Sequence, residues 1–121
     1  MEFIDLGNGK TGFDIIFEET DQDLVKVELD CYWATYSGVD PHQVIQAYNG
    51  RVVSLHMKDM AIENGQKRSI ELGRGSLDIQ ALQQTGEEAN VSWFVIEQEQ
   101  FDGDPLVAAE ENVVNWNKII K

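Results

Sequence analysis

Positive charge, cysteine and long apolar runs are all scarce in this 121-residue chain, and each scarcity removes a class of function. Nine Lys and Arg stand against 22 Asp and Glu, for a net charge of −13. Nucleic acid and anionic membrane surfaces are held by basic patches, so neither is an expected partner. The one cysteine, Cys31, excludes an internal disulfide and fits a reducing cytoplasm. No apolar run approaches the ~20 residues of a membrane-spanning helix. The opening MEFIDLGNGK has an acid at position 2 and no basic n-region, so no secretory leader is expected. What is present is a globular composition, 42% hydrophobic and 26% charged, in a length that suits one domain over residues 1–121.

Three segments share a pattern: LVKVELD (24–30), RVVSLHMKD (51–59) and VSWFVIEQE (91–99). Each is a β-branched or aromatic run that ends in acidic, basic or imidazole groups. Near-continuous apolar runs suit strands buried on both faces, as in parallel sheets. Helical signals lie between them. Thr11 to Glu19 puts Phe13, Ile16 and Phe17 at helical spacing. Asp40-Pro41 and Asp104-Pro105 are N-cap and N1 pairs. The first of these helices stops near Tyr48, before Asn49-Gly50. The second carries Leu106, Ala109, Val113, Trp116 and Ile120 on one stripe. A further helix spans about 78–84 and ends or kinks at Gly86. Alternation of helix and strand predicts an α/β protein with right-handed crossovers and a parallel sheet.

Ligands bind such sheets at the carboxyl ends of the strands. Asp30, His56 and Glu97 each end a different predicted strand, so the topology brings them to one face. Two carboxylates and an imidazole are a divalent-metal ligand set, suited to Mn²⁺, Zn²⁺, Co²⁺ or Fe²⁺. Each residue also has a plain reading: Asp30 caps the next turn, His56 is a polar exit from a strand, Glu97 is solvated. Cys31 reads as a core thiol whose pKa Asp30 raises. His42 reads as a surface residue, and Asp59 as a partner of Lys58 or a turn cap. Gly73 to Gly75 (GRG) reads as a tight turn, or more weakly as a phosphate cradle.

ELDCYWATYSGVDP, GRVVSLHMKDM, ELGRGSLD and FVIEQEQFDGDP, in that order, resemble the sugar phosphate isomerase/epimerase family of the xylose-isomerase-like TIM barrel superfamily. The resemblance runs from about Gly9 to Lys121. It implies a divalent metal, Mn²⁺ first, with Zn²⁺, Co²⁺ or Mg²⁺ as substitutes. Asp30, His56 and Glu97 match its ligands on the sixth to eighth strands. It further implies that Glu97 is a catalytic acid/base group, that Lys58 reaches a hydroxyl or anionic group of the substrate, and that Trp33 faces the substrate. A core or rim position is the plain reading of Trp33.

The implied activity is that of a metal-dependent sugar or sugar phosphate isomerase or epimerase, moving a proton next to a carbonyl held by the metal. A complete (β/α)8 barrel takes ~250 residues. The motifs here match the C-terminal half of the pattern, with Glu2 at the end of the fifth strand and without that strand's metal ligand. The expected architecture is therefore the C-terminal half of a TIM barrel, incomplete in one chain and completed by oligomerisation or strand exchange. An inner face bearing Leu29, Val53, Leu55 and Val95 would stand open, and a homodimer or higher homo-oligomer would cover it. The alternative is a non-catalytic oligomerising remnant of such an enzyme. DNA-repair endonucleases share the superfamily fold, but they use more His ligands than a chain with two histidines and this acidity provides.

Overall fold

The computed structural model describes residues 2–121. Helix α1 (Gly12–Glu18) begins at a reciprocal cap. Thr11 Oγ1 accepts the Asp14 amide at 3.1 Å, and Asp14 Oδ2 accepts the Thr11 amide at 2.8 Å. Strand β1 (Val27–Asp30) leads directly into α2 (Cys31–Tyr36), and α3 (Pro41–Ala47) precedes β2 (Val52–Met57). A hairpin of β3 (Asp59–Glu63) and β4 (Gln66–Ile70) follows. Helix α4 (Ile79–Glu88), strand β5 (Trp93–Ile96) and helix α5 (Pro105–Ile119) complete the chain. Asp40 and Asp104 cap α3 and α5, each followed by proline at the start of the helix.

Strands β1, β2 and β5 form a parallel sheet in that order, with Asp30 opposite His56 and His56 opposite Val95. Both outer strands keep a free edge in this sheet. Side chains alternate across a strand, so the register assigns every residue to a face. Val27, Leu29, Leu55, Met57, Phe94 and Ile96 lie on the helix side and join one core cluster with Ile45, Leu72, Ile79 and Leu82. At ~1.5–3 kcal/mol for each fully buried aliphatic side chain, this layer dominates the stability.

The opposite face differs from the expected apolar one. Leu29 and Leu55 are buried under the helices, and Val53 is half-buried. The open face carries Glu28, Asp30, Ser54, His56, Trp93 and Val95. Only Trp93 and Val95, 69% and 39% exposed, are apolar there. Strand β1 buries alternate residues, and β5 alternates between exposed and half-buried ones, which is why the doubly buried reading of their apolar runs does not hold.

Four further elements depart from the sequence reading. Helix α2 and the β3–β4 hairpin were not expected. Helix α4 runs through Gly86 without ending, because that glycine is a packing point. A Cβ there would lie 2.8 Å from the Phe94 ring and 2.9 Å from Leu55 Cδ1. The predicted stripe of α5 is turned: Ala108 and Asn112 are buried and Trp116 and Ile119 pack on the core, while Leu106, Val113 and Ile120 are exposed. The polar Asn112 belongs inside because its Oδ1 accepts the Leu72 amide at 2.7 Å.

Candidate metal centre

Alternation on the three parallel strands builds the site. Glu28 and Asp30 on β1, His56 on β2 with Lys58 just past it, and Val95 on β5 with Glu97 just past it all belong to the open face. The carboxyl ends of the three strands coincide, as the amide of Glu97 donates to the Met57 carbonyl at 3.3 Å. Asp30, His56 and Glu97, all half-buried, each present one donor atom, and these atoms lie within 4.8 Å of one another. His56 Nδ1 is 3.6 Å from Asp30 Oδ2 and 3.7 Å from Glu97 Oε2. The three predicted ligands therefore meet. One borderline nitrogen and two hard oxygens, spaced so that small side-chain movements bring them onto one ion, fit a divalent cation.

Asp30 fulfils both of its readings at once. Its Oδ1 accepts the Trp33 amide at 2.9 Å and caps α2. Its Oδ2 faces His56 and Lys58. The cap fixes the carboxylate, so the second oxygen reaches the site at little entropic cost.

Lys58 is deeply buried among three carboxylates. Its Nζ lies 3.2 Å from Asp30 Oδ2, 2.5 Å from Glu97 Oε2 and 3.0 Å from Glu99 Oε1. It also sits 5.3 Å from the Tyr32 ring centre and 5.8 Å from that of Trp33. Three carboxylates and two ring faces hold its charge. Burial pushes its pKa down, but Glu97, Glu99 and Asp30 outweigh burial and raise it above the ordinary lysine value. Glu99 shows the reverse: burial pushes its pKa up, and Lys58 and the Trp33 indole overcome this and lower it. Trp33 Nε1 donates to Glu99 Oε1 at 3.2 Å, and the ring is 41% exposed beside the carboxylates. Trp33 is thus at the rim of the site, as a substrate-facing residue and a rim aromatic both require.

Two carboxylates here escaped the sequence reading. Glu28 Oε1 is 3.2 Å from His56 Nε2. Glu99 was hidden in the run EQEQ, although period-2 spacing from Glu97 was a signal for it.

Other residues find structural roles. Asp59 is fully buried and does not pair with Lys58. Its Oδ1 accepts the amides of Met60 and Leu77 at 2.8 and 3.0 Å, and its Oδ2 those of Gly73 and Gly75, both at 2.9 Å. The Gly73 and Gly75 amides are therefore committed to Asp59 and the Arg74 amide to the Glu71 carbonyl, which removes the phosphate-cradle reading. His42 is not a bare surface residue, since its Nδ1 contacts Thr85 Oγ1 at 2.8 Å and ties α3 to α4. Burial, then Asp30, push the Cys31 thiol up to about 12, which matches a core thiol.

No helix among the described residues is long and apolar enough to cross a membrane. No protein-family model matches the sequence, and no curated protein does. Solved structures do. Two crystal structures of sugar phosphate isomerase/epimerases from Parabacteroides distasonis ATCC 8503 superpose with TM-scores of 0.79 at 23% identity. They cover 93% and 94% of this chain, which in turn spans 39% and 38% of theirs. The likeness at this identity is one of fold, and this chain is less than two fifths of the length of those structures. The described residues therefore have the fold of part of a sugar phosphate isomerase/epimerase, an α/β fragment of a TIM-like barrel with parallel strands and no closed barrel.

Proposed function

We propose that the chain is the metal-binding part of a sugar or sugar phosphate isomerase or epimerase, with Asp30, His56 and Glu97 as ligands and Mn²⁺ as the first candidate ion. The observation that carries the reading is the meeting of one imidazole and two carboxylates at the carboxyl ends of three parallel strands. A divalent ion bound there would supply Lewis-acid polarisation of a sugar carbonyl. Glu97 is the group that takes and returns a proton on the carbon next to that carbonyl. Lys58, kept charged by its neighbours, steadies negative charge developing on the substrate oxygen. Trp33 offers an exposed ring to the apolar face of the sugar.

Association of copies belongs to the same proposal. The sheet has free edges at β1 and β5. Leu106, Val107, Val113 and Val114 stand exposed on α5. Exposed edges and apolar patches favour a homodimer or larger assembly. The buried free thiol of Cys31 suits a reducing, cytoplasmic setting.

The test is proton exchange. The purified chain with Mn²⁺ is incubated in D2O with a panel of ketoses, aldoses and their phosphates, and NMR follows loss of the C–H signal beside the carbonyl. Deuterium uptake that is lost in Glu97→Gln supports the proposal. No uptake with any sugar, in a chain that binds the metal, overturns the catalytic reading and leaves the non-catalytic remnant.

A further inference from the structure

The imidazole and the ammonium on the open face meet the same two oxygens. His56 Nδ1 lies 3.6 Å from Asp30 Oδ2 and 3.7 Å from Glu97 Oε2. Lys58 Nζ lies 3.2 Å from the first of these oxygens and 2.5 Å from the second. The Lys58 side chain is fully buried, so its ammonium is shut off from bulk water. Asp30, Glu97 and Glu99 crowd together with like charge, and Lys58 offsets that charge at short range. The ammonium also has a hold that needs neither ligand oxygen. Glu99 Oε1 lies 3.0 Å from it, and the Tyr32 and Trp33 rings flank it.

We propose that Lys58 is the resident counter-ion of the metal-free centre: its ammonium occupies Asp30 Oδ2 and Glu97 Oε2, an entering divalent cation displaces it from them, and its charge sets how tightly that ion is held. This rests on reading Asp30, His56 and Glu97 as a metal site. Lys58 is a positioning residue and not a ligand, because an ammonium has three donors and no lone pair to give. Two cations on one pair of oxygens repel, so the displaced ammonium stays with Glu99 and the two rings beside the centre. An opposite charge within ~4–6 Å changes a carboxylate's hold on a proton by ~10–1000-fold, and a metal ion meets the same field.

The experiment titrates Mn²⁺ by calorimetry into the whole native chain and into Lys58→Met, Lys58→Gln and Lys58→Arg, each first checked for native circular dichroism. The two neutral variants are independent, so misfolding of one leaves the test intact. The proposal expects Mn²⁺ to bind at least ~10-fold more tightly to the neutral variants than to the native chain, with Lys58→Arg near the native value. A lysine that only supports the fold gives the opposite, weaker or unchanged binding when its charge is removed. That result in folded Lys58→Met or Lys58→Gln, with the native chain binding Mn²⁺, would overturn the proposal and leave the metal site standing. Absence of binding in the native chain and both neutral variants alike would overturn the metal-site reading, and the proposal with it.

Discussion

Asp59→Asn is an almost isosteric change with a large expected cost. The carboxylate is fully buried and accepts four backbone amides, two on each oxygen. Asparagine keeps one oxygen and so two of the four bonds. Whichever way it turns, its NH2 group points at two amide donors. Two charge-assisted bonds vanish and two N–H groups lose their acceptor, at ~1–3 kcal/mol each. The two surviving bonds become neutral ones and weaken. The total is about 4 kcal/mol, a large part of the stability of a domain this size. With about 2.1 cal/mol/K per residue, the unfolding entropy of 121 residues is about 0.25 kcal/mol/K, which converts the loss to a Tm drop of ~16 °C. Circular dichroism melts and urea titrations of both proteins measure it. Asp102→Asn is the control, because Asp102 is an exposed partner of Arg68 and surface ion pairs contribute ~0–1 kcal/mol. A drop under ~4 °C for Asp59→Asn would refute the argument that this carboxylate holds the 71–77 loop in place.

Gly75→Ala attacks the same junction from the other side, since its Cβ would press on Asp59 Oδ1 and lie 2.5 Å from the Met60 carbonyl oxygen. Overpacking costs ~1–3 kcal/mol, and the double variant with Asp59→Asn should lose less than the sum of the two, which urea titration tests. Lys58→Met should alter stability at both ends of the pH scale. The raised lysine pKa contributes stability that is full below its ordinary value near ~10.4 and is lost as pH climbs through the folded value. The lowered Glu99 pKa contributes stability that is present above ~4.3 and is lost as pH falls through the folded value. Urea titrations from acid to alkali should show both limbs shallower in Lys58→Met, and unchanged slopes would rule out the charge cluster as their source. Cys31, with its thiol pushed up to about 12, should resist a thiol reagent at pH 8 until the chain unfolds. Prompt reaction of the folded chain would show that the thiol is not sealed in the core.

Much of the fold is written in local signals. Asp-Pro pairs mark the starts of α3 and α5 because one aspartate oxygen and one fixed φ satisfy the first turn without help from the rest of the chain. The convergence of Asp30, His56 and Glu97 was legible because a parallel sheet aligns its carboxyl ends whatever the intervening residues. What stayed hidden depended on partners distant in sequence. The direction of α5 turned on Asn112, whose acceptor role towards Leu72 outweighs the apolar stripe beside it. Gly86 is a helix residue only because Phe94 and Leu55 need its missing side chain. The face of Leu29 and Leu55 follows from the register with neighbouring strands, and a continuous apolar run does not reveal register. Other omissions were readable. Asn64 and Gly65, with φ of 51° and 77°, form the turn of the β3–β4 hairpin, and Asn-Gly between two strand-like runs is a strong hairpin signal. Helix α2 has its N-cap in plain sight as Asp30, a residue that ends β1, caps α2 and faces His56.

Titration of the purified chain with Mn²⁺, followed by calorimetry and by native mass, tests the central claim most directly. The account predicts about one Mn²⁺ for each chain, with binding lost in Asp30→Asn and His56→Gln while both variants stay folded. A folded chain that binds no divalent ion, or that binds it equally well without His56, would contradict it.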